Sequence, residues 1–153
     1  MSKEIQTSVD GVIEEFAARG WRPLGVARTL PSAEDGVEVW EYIGVFALFD
    51  PPRHDTKETI EAAVSLGVDV KMVTGDHLLI AKETARELGM GDRIYGPDEW
   101  KKAQNHSEGA AQELVYGADG FAQVMPEDKY YIVEKLQNRG HVTGMTGDGH
   151  NHP

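Results

Sequence analysis

Val70-Lys71-Met72-Val73-Thr74-Gly75-Asp76-His77 is the stretch that decides the fold. The run Asp69 to Val73 reads as a strand, Thr-Gly-Asp ends it, and a helical rhythm of apolar residues starts at once and lasts from about His77 to Leu88. A strand that passes straight into a helix is the building unit of a parallel sheet, and such sheets hold ligands at their carboxyl edge. Free amides at the start of the next helix suit a phosphate there, with Thr74 and Gly75 as the cradle. On these three residues alone, Asp76 as a plain helix cap outweighs Asp76 as a ligand-binding group.

The same alternation extends on both sides. Upstream, Asp55 to Leu66 reads as a helix, with Asp55 and Glu58 at capping-box spacing and Gly67 as its stop. Downstream, Gly89 ends the second helix, Gly120 to Val124 is a short apolar segment, Pro126 opens a helix to Arg139, and His141 to Met145 reads as a strand. Between them, Pro97 to Gln104 has the character of a short helix and Asn105 to Gly109 that of a surface loop. The last strand closes in Thr146-Gly147-Asp148-Gly149, a second copy of the Thr-Gly-Asp device. Asp148 is a hard oxygen ligand that suits Mg²⁺ held partly by waters and substrate phosphate, and an Asp-Gly turn is an equal reading of it. Lys129, in a first helical turn, could set an ammonium beside phosphate oxygens, although a lysine there is usually solvated. His150 and His152 beside Asp148 invite a metal reading, but two histidines in a chain terminus more often bind nothing.

The opening third has a different rhythm. Val9, Val12, Ile13, Phe16 and Ala17 fall on one face of a helix that Gly20 ends. Leu24 to Ala27 reads as a short strand, Pro31 to Gly36 as an acidic turn, and Val37 to Phe49 as a longer strand. Asp50-Pro51-Pro52-Arg53 breaks the pattern, because two prolines fix φ and remove two backbone donors. A hinge is expected there, between residues 1–49 and residues 54–153.

Composition narrows the function classes. The 153 residues suit one core of ordinary size. With 26 Asp and Glu against 15 Lys and Arg, the formal net charge is −11, which repels nucleic-acid backbones and anionic lipid. There is no cysteine, so disulfide, thiolate-zinc and cysteine-nucleophile chemistry are out together. The longest apolar run, Ile43 to Phe49, is far short of the ~20 residues of a bilayer span, so a soluble chain without direct membrane insertion is expected. No P-loop, dinucleotide fingerprint or serine triad is present.

Four motifs taken together carry a family resemblance. Phe49-Asp50-Pro51-Pro52-Arg53-His54-Asp55, Val70 to His77, Pro126-Glu127-Asp128-Lys129-Tyr130 with Ile132-Val133, and Met145-Thr146-Gly147-Asp148-Gly149 with Asn151 resemble the P-type cation-transporting ATPases, most of all the plasma-membrane proton pumps. The resemblance implies an α/β fold of haloacid-dehalogenase-like, Rossmann-like type: a parallel sheet with helices on both faces, preceded by a helix-plus-strands remnant of a nucleotide-binding domain. It implies ATP and Mg²⁺ as ligands. Arg22 would help hold ATP phosphates, Thr74, Gly75 and Asp76 would meet the γ-phosphate, Lys129 would neutralise the phosphorylated site, and Asp148 would bind Mg²⁺ with Asn151 beside it. The departures are equally plain. The Asp-Lys-Thr-Gly-Thr motif that carries the family's phosphorylated aspartate is nowhere in the chain, and His152 stands where the family has a second aspartate. The resemblance therefore implies a partial site without a nucleophile. It points to the cytoplasm, or the cytoplasmic face of a membrane, and to two kinds of partner: nucleotide or phosphate, and a pump segment or other chain that completes the sheet.

Overall fold

The computed structural model describes residues 3–31 and 38–147. The acidic turn expected around Pro31 to Gly36 lies mostly outside them, as do Asp148, His150, Asn151 and His152. The chain divides into two compact units between Pro52 and Arg53.

The first unit is a helix, α1 (Lys3–Ala18), then two antiparallel strands, β1 (Arg22–Leu30) and β2 (Val39–Leu48). α1 begins a turn and a half before the apolar face that marks it. Its last turn closes on Gly20, whose φ of 75° only glycine adopts freely, and Trp21 N–H returns to Phe16 O. The strands pair from Arg22 opposite Leu48 to Leu30 opposite Val39, with a bulge at Val26/Ala27.

The second unit runs α2 (Thr56–Ser65), β3 (Met72–Val73), α3 (Leu78–Leu88), β4 (Ile94–Tyr95), α4 (Pro97–His106), α5 (Glu108–Gly117), β5 (Gly120–Phe121) and α6 (Pro126–Asn138). Its three short strands are parallel in the order β3-β5-β4, which makes the class α/β. β5, the central strand, is buried along its length, as a parallel strand covered on both faces must be. Successive side chains alternate between faces. Phe121 packs with Trp100, Val115 and Ile132 of α4, α5 and α6, while Ala122 packs with Ala81 and Ala85 of α3. The chain moves outward from β3 to β4 across one face and back to β5 across the other, so both crossovers keep one hand, as the right-handed preference requires.

Three expectations are corrected. Asp55 precedes α2 but its side chain makes no capping bond. Its ψ of −7° is helical rather than extended, so its carboxylate cannot swing over the first amides, and the helix is entered through a turn from Arg53 O to Thr56 N–H instead. Asn105 to Gly109 is no loop: Ser107 alone separates two helices, ending α4 and capping α5 through Oγ to Ala110 N–H at 3.0 Å. Residues 141–147 form no strand, and Val142 is fully exposed. A strand needs a neighbour for its ladder. Among the described residues no strand pairs with this segment, and the outer edge of β3 is unpaired as well.

Candidate functional site

Local packing sets the edge. β3 ends at Val73 with Thr74 N–H bonded to Phe121 O at 2.9 Å, so the Thr-Gly-Asp segment leaves the sheet still anchored to β5. Val124 N–H returns to Thr74 O at 3.0 Å, Gln123 N–H to Asp76 O at 2.9 Å, and Asp76 N–H donates to Thr74 Oγ1 at 3.1 Å. Gly75 is exposed, and Thr74 and Asp76 are half-buried. The cap of α3 is His77, whose Nδ1 accepts from Leu79 N–H, so Asp76 stands one residue before the cap.

The glycines separate folding from access. A Cβ at Gly120 would lie 2.7 Å from Met72 O and 2.9 Å from Ile94 Cδ1, so the sheet itself demands glycine there. At Gly75 the nearest atom, Val124 O, is 3.8 Å from a Cβ position, an ordinary contact. The fold does not require glycine at position 75.

Lys129 lies in the first turn of α6, which starts where β5 runs out, so it comes to the same edge as the Thr74 to Asp76 segment. Pro126 takes the first helical position, Asp128 Oδ2 accepts from Met125 N–H at 2.9 Å, and Lys129 N–H bonds to Met125 O. The half-buried Lys129 makes no ion pair among the described residues. Two lysines with well-buried side chains are engaged. Lys71 Nζ donates to Tyr116 O and Ala118 O and pairs with Asp69, while Lys135 pairs with Glu108 and lies over the Tyr131 ring. That hydrogen bond to Glu108 raises the Lys135 pKa.

Arg22 opens β1 in the first unit, opposite Leu48, and Asp50 to Arg53 are mostly exposed at the break between the units. Asp148 and Asn151 fall outside the described residues, and no cluster of three His, Asp or Glu side chains occurs among the described ones. The carboxylate that the Thr-Gly-Asp segment brings to this edge is Asp76. One carboxylate is too few for a metal held by protein alone, but it fits Mg²⁺, which uses one or two carboxylates along with waters and phosphate oxygens.

Two residues at this sheet gave no sign in the sequence. Gln123 takes a left-handed φ of 54°, the only non-glycine residue described that does so. Asp119 accepts from Arg93 Nη2 at 2.7 Å, Nε at 3.1 Å and N–H at 2.9 Å, tying the starts of β4 and β5. The Arg93 side chain holds the Asp119 carboxyl below the usual carboxylate range, against the opposing effect of burial.

Two comparisons with known proteins agree with this geometry. Residues 17–152 match the haloacid dehalogenase-like hydrolase family. A plasma membrane ATPase of Dunaliella bioculata is 49% identical over 154 residues, covering 97% of this chain and 14% of that protein. The chain spans about one-seventh of that relative's length. No described helix is long and apolar enough to cross a membrane.

Proposed function

Because the chain belongs to the haloacid dehalogenase-like hydrolase family, we propose that it is the phosphate-handling portion of a P-type proton-pumping ATPase, with a partial ATP and Mg²⁺ site and no nucleophile of its own. One observation carries the reading. At one sheet edge, where Val124 N–H ties the Thr74 segment to the chain leading into α6, lie an exposed glycine that the fold does not demand and a lysine with no ion pair among the described residues. Phosphoryl-transfer sites work mainly by positioning and by placing cations around the transferred group. In this reading the Thr74 hydroxyl and the Gly75 amide hold phosphate oxygens, Lys129 offsets their charge, and Asp76 with Asp148 would hold Mg²⁺, which supplies further charge neutralisation. Arg22 and Asn151 would contact the nucleotide. Asp50 to Arg53 would act as the hinge, and the protein would work on the cytoplasmic face of a membrane.

A nucleophilic carboxylate in an Asp-Lys-Thr-Gly-Thr setting is absent, so no covalent phospho-intermediate is expected from this chain alone. Binding should be weak, in the high-micromolar to millimolar range, roughly −4 to −5 kcal/mol. Titration with Mg²⁺ and inorganic phosphate, read by NMR at Thr74, Gly75 and Gly147, tests it. Saturable shifts that Lys129→Ala weakens support the reading, and unmoved amides at millimolar phosphate end it. Incubation with labelled ATP should leave no acid-stable label, since stoichiometric labelling would mean that another residue acts as nucleophile.

The outer edge of β3, unpaired among the described residues, favours a second reading, a non-catalytic module that docks to a pump or another chain through this edge. Co-purification with a membrane pump, with no phosphate response, would select it.

A further inference from the structure

We propose that Gln123 is a positioning residue: its left-handed backbone turns two successive amides onto the carbonyls of Thr74 and Asp76, and so fixes from both sides the segment whose Gly75 N–H faces away from the sheet as a donor for phosphate. The phosphate clause rests on the proposed phosphate-handling function. The clamp itself does not.

In a regular parallel strand, backbone groups of successive residues point alternately to the two neighbours. Ala122 obeys, giving its N–H to Tyr95 O on the β4 side at 2.9 Å. Gln123 N–H then goes to the β3 side, to Asp76 O at 2.9 Å. Val124 should turn back toward β4, but its N–H also goes to the β3 side, to Thr74 O at 3.0 Å. The reversal sits at Gln123, at φ 54°. A left-handed residue inside a strand extension makes a bulge of this kind and re-aims the residues beyond it.

The consequence passes through peptide planarity. In a trans peptide the carbonyl of one residue and the N–H of the next point in opposite directions. Holding Thr74 O against Val124 therefore sends the Gly75 N–H to the other side, away from β5. Gly75 N–H makes no hydrogen bond to any described residue, and Gly75 is exposed. Without the bulge, a regular ladder in this register would give the Gln123 N–H to Thr74 O, and Asp76 O would lose the donor that closes the segment around Gly75.

A left-handed backbone is least costly for glycine and most costly for β-branched residues. The side chain of Gln123 is exposed, so its backbone conformation carries the role. Gln123→Gly should keep or strengthen the clamp, and Gln123→Val should loosen it while the core stays folded. The first readout needs no ligand. Amide exchange at Val124 should quicken about tenfold in Gln123→Val, the scale of a left-handed β-branched residue, and stay at or below the wild-type rate in Gln123→Gly. The Gly75 amide resonance should move in Gln123→Val only. In the second readout, inorganic phosphate with Mg²⁺ should shift Gly75 in wild type and Gln123→Gly and shift it several-fold less in Gln123→Val. If the valine variant fails to fold, Gln123→Ala against Gln123→Gly carries the same comparison with a smaller difference. Equal Val124 exchange and an unmoved Gly75 resonance in all variants overturn the clamp. A ligand-free difference without any phosphate response in wild type overturns the phosphate reading and leaves the clamp standing.

Discussion

Two glycines one strand apart predict opposite outcomes from the same substitution. Gly120→Ala would press a methyl into Met72 O and Ile94 at the centre of the sheet, and overpacking of this kind costs about 1–3 kcal/mol. Gly75→Ala meets only an ordinary contact with Val124 O, so stability should stay within about 0.5 kcal/mol while phosphate binding falls, because a side chain crowds an exposed segment that carries none. Urea unfolding of both variants, with a phosphate titration of the second, measures the pair. Thr74, Gly75 and Lys129 are legible as candidates because they stand at a strand end or a helix start, where sequence patterns are sharpest. Gln123 is not, because nothing in a glutamine announces a positive φ. Gly120 is legible as a glycine but not as a necessity, since the atoms it would meet come from residues 48 and 26 positions earlier.

Among elements, the long amphipathic ones are readable and the two-residue strands are not. β4 is Ile94–Tyr95 alone, too short to show a period, and α5 is hidden because Ser107, its cap, sits among residues with the polar character of a loop. Ser107→Ala should cost about 1 kcal/mol by leaving the Ala110 amide without its acceptor, measurable as a lower thermal midpoint. Short strands need pins, and Asp119 with Arg93 is one. The pin explains Gly91, whose φ of 94° and 2.5 Å Cβ approach to Asp119 Oδ2 admit only glycine. Since Asp119 titrates lower in the folded chain than unfolded, its contribution is complete above its unfolded pKa of about 3.9 and is lost as pH falls through the folded value. Urea midpoints taken from pH 6 down to pH 3 should therefore drop, and Asp119→Asn should start lower and drop less. The expected strand at His141 to Met145 shows the converse limit. Its pattern is right for a strand, but pattern cannot supply the neighbour that a ladder requires.

For the whole molecule, the break between Pro52 and Arg53 makes a test independent of any ligand. Arg53 is well exposed just ahead of α2, so limited trypsin should release a fragment starting at His54 that retains its helical circular dichroism. Early loss of helical signal would mean that the second unit needs the first to fold. The class of fold is legible from the strand-to-helix alternation. The strand order is not, because it depends on which strand enters the middle. That order bears on how the protein is made. β3 and β4 never pair with each other, and the strand that joins them is the last of the three to leave the ribosome. Until Phe121 arrives the second unit has no ladder, so its sheet cannot grow step by step during synthesis and must close late and as a whole. A nascent chain arrested before residue 120 should have no part of the sheet, where a meander of the same length would already hold two-thirds of its own.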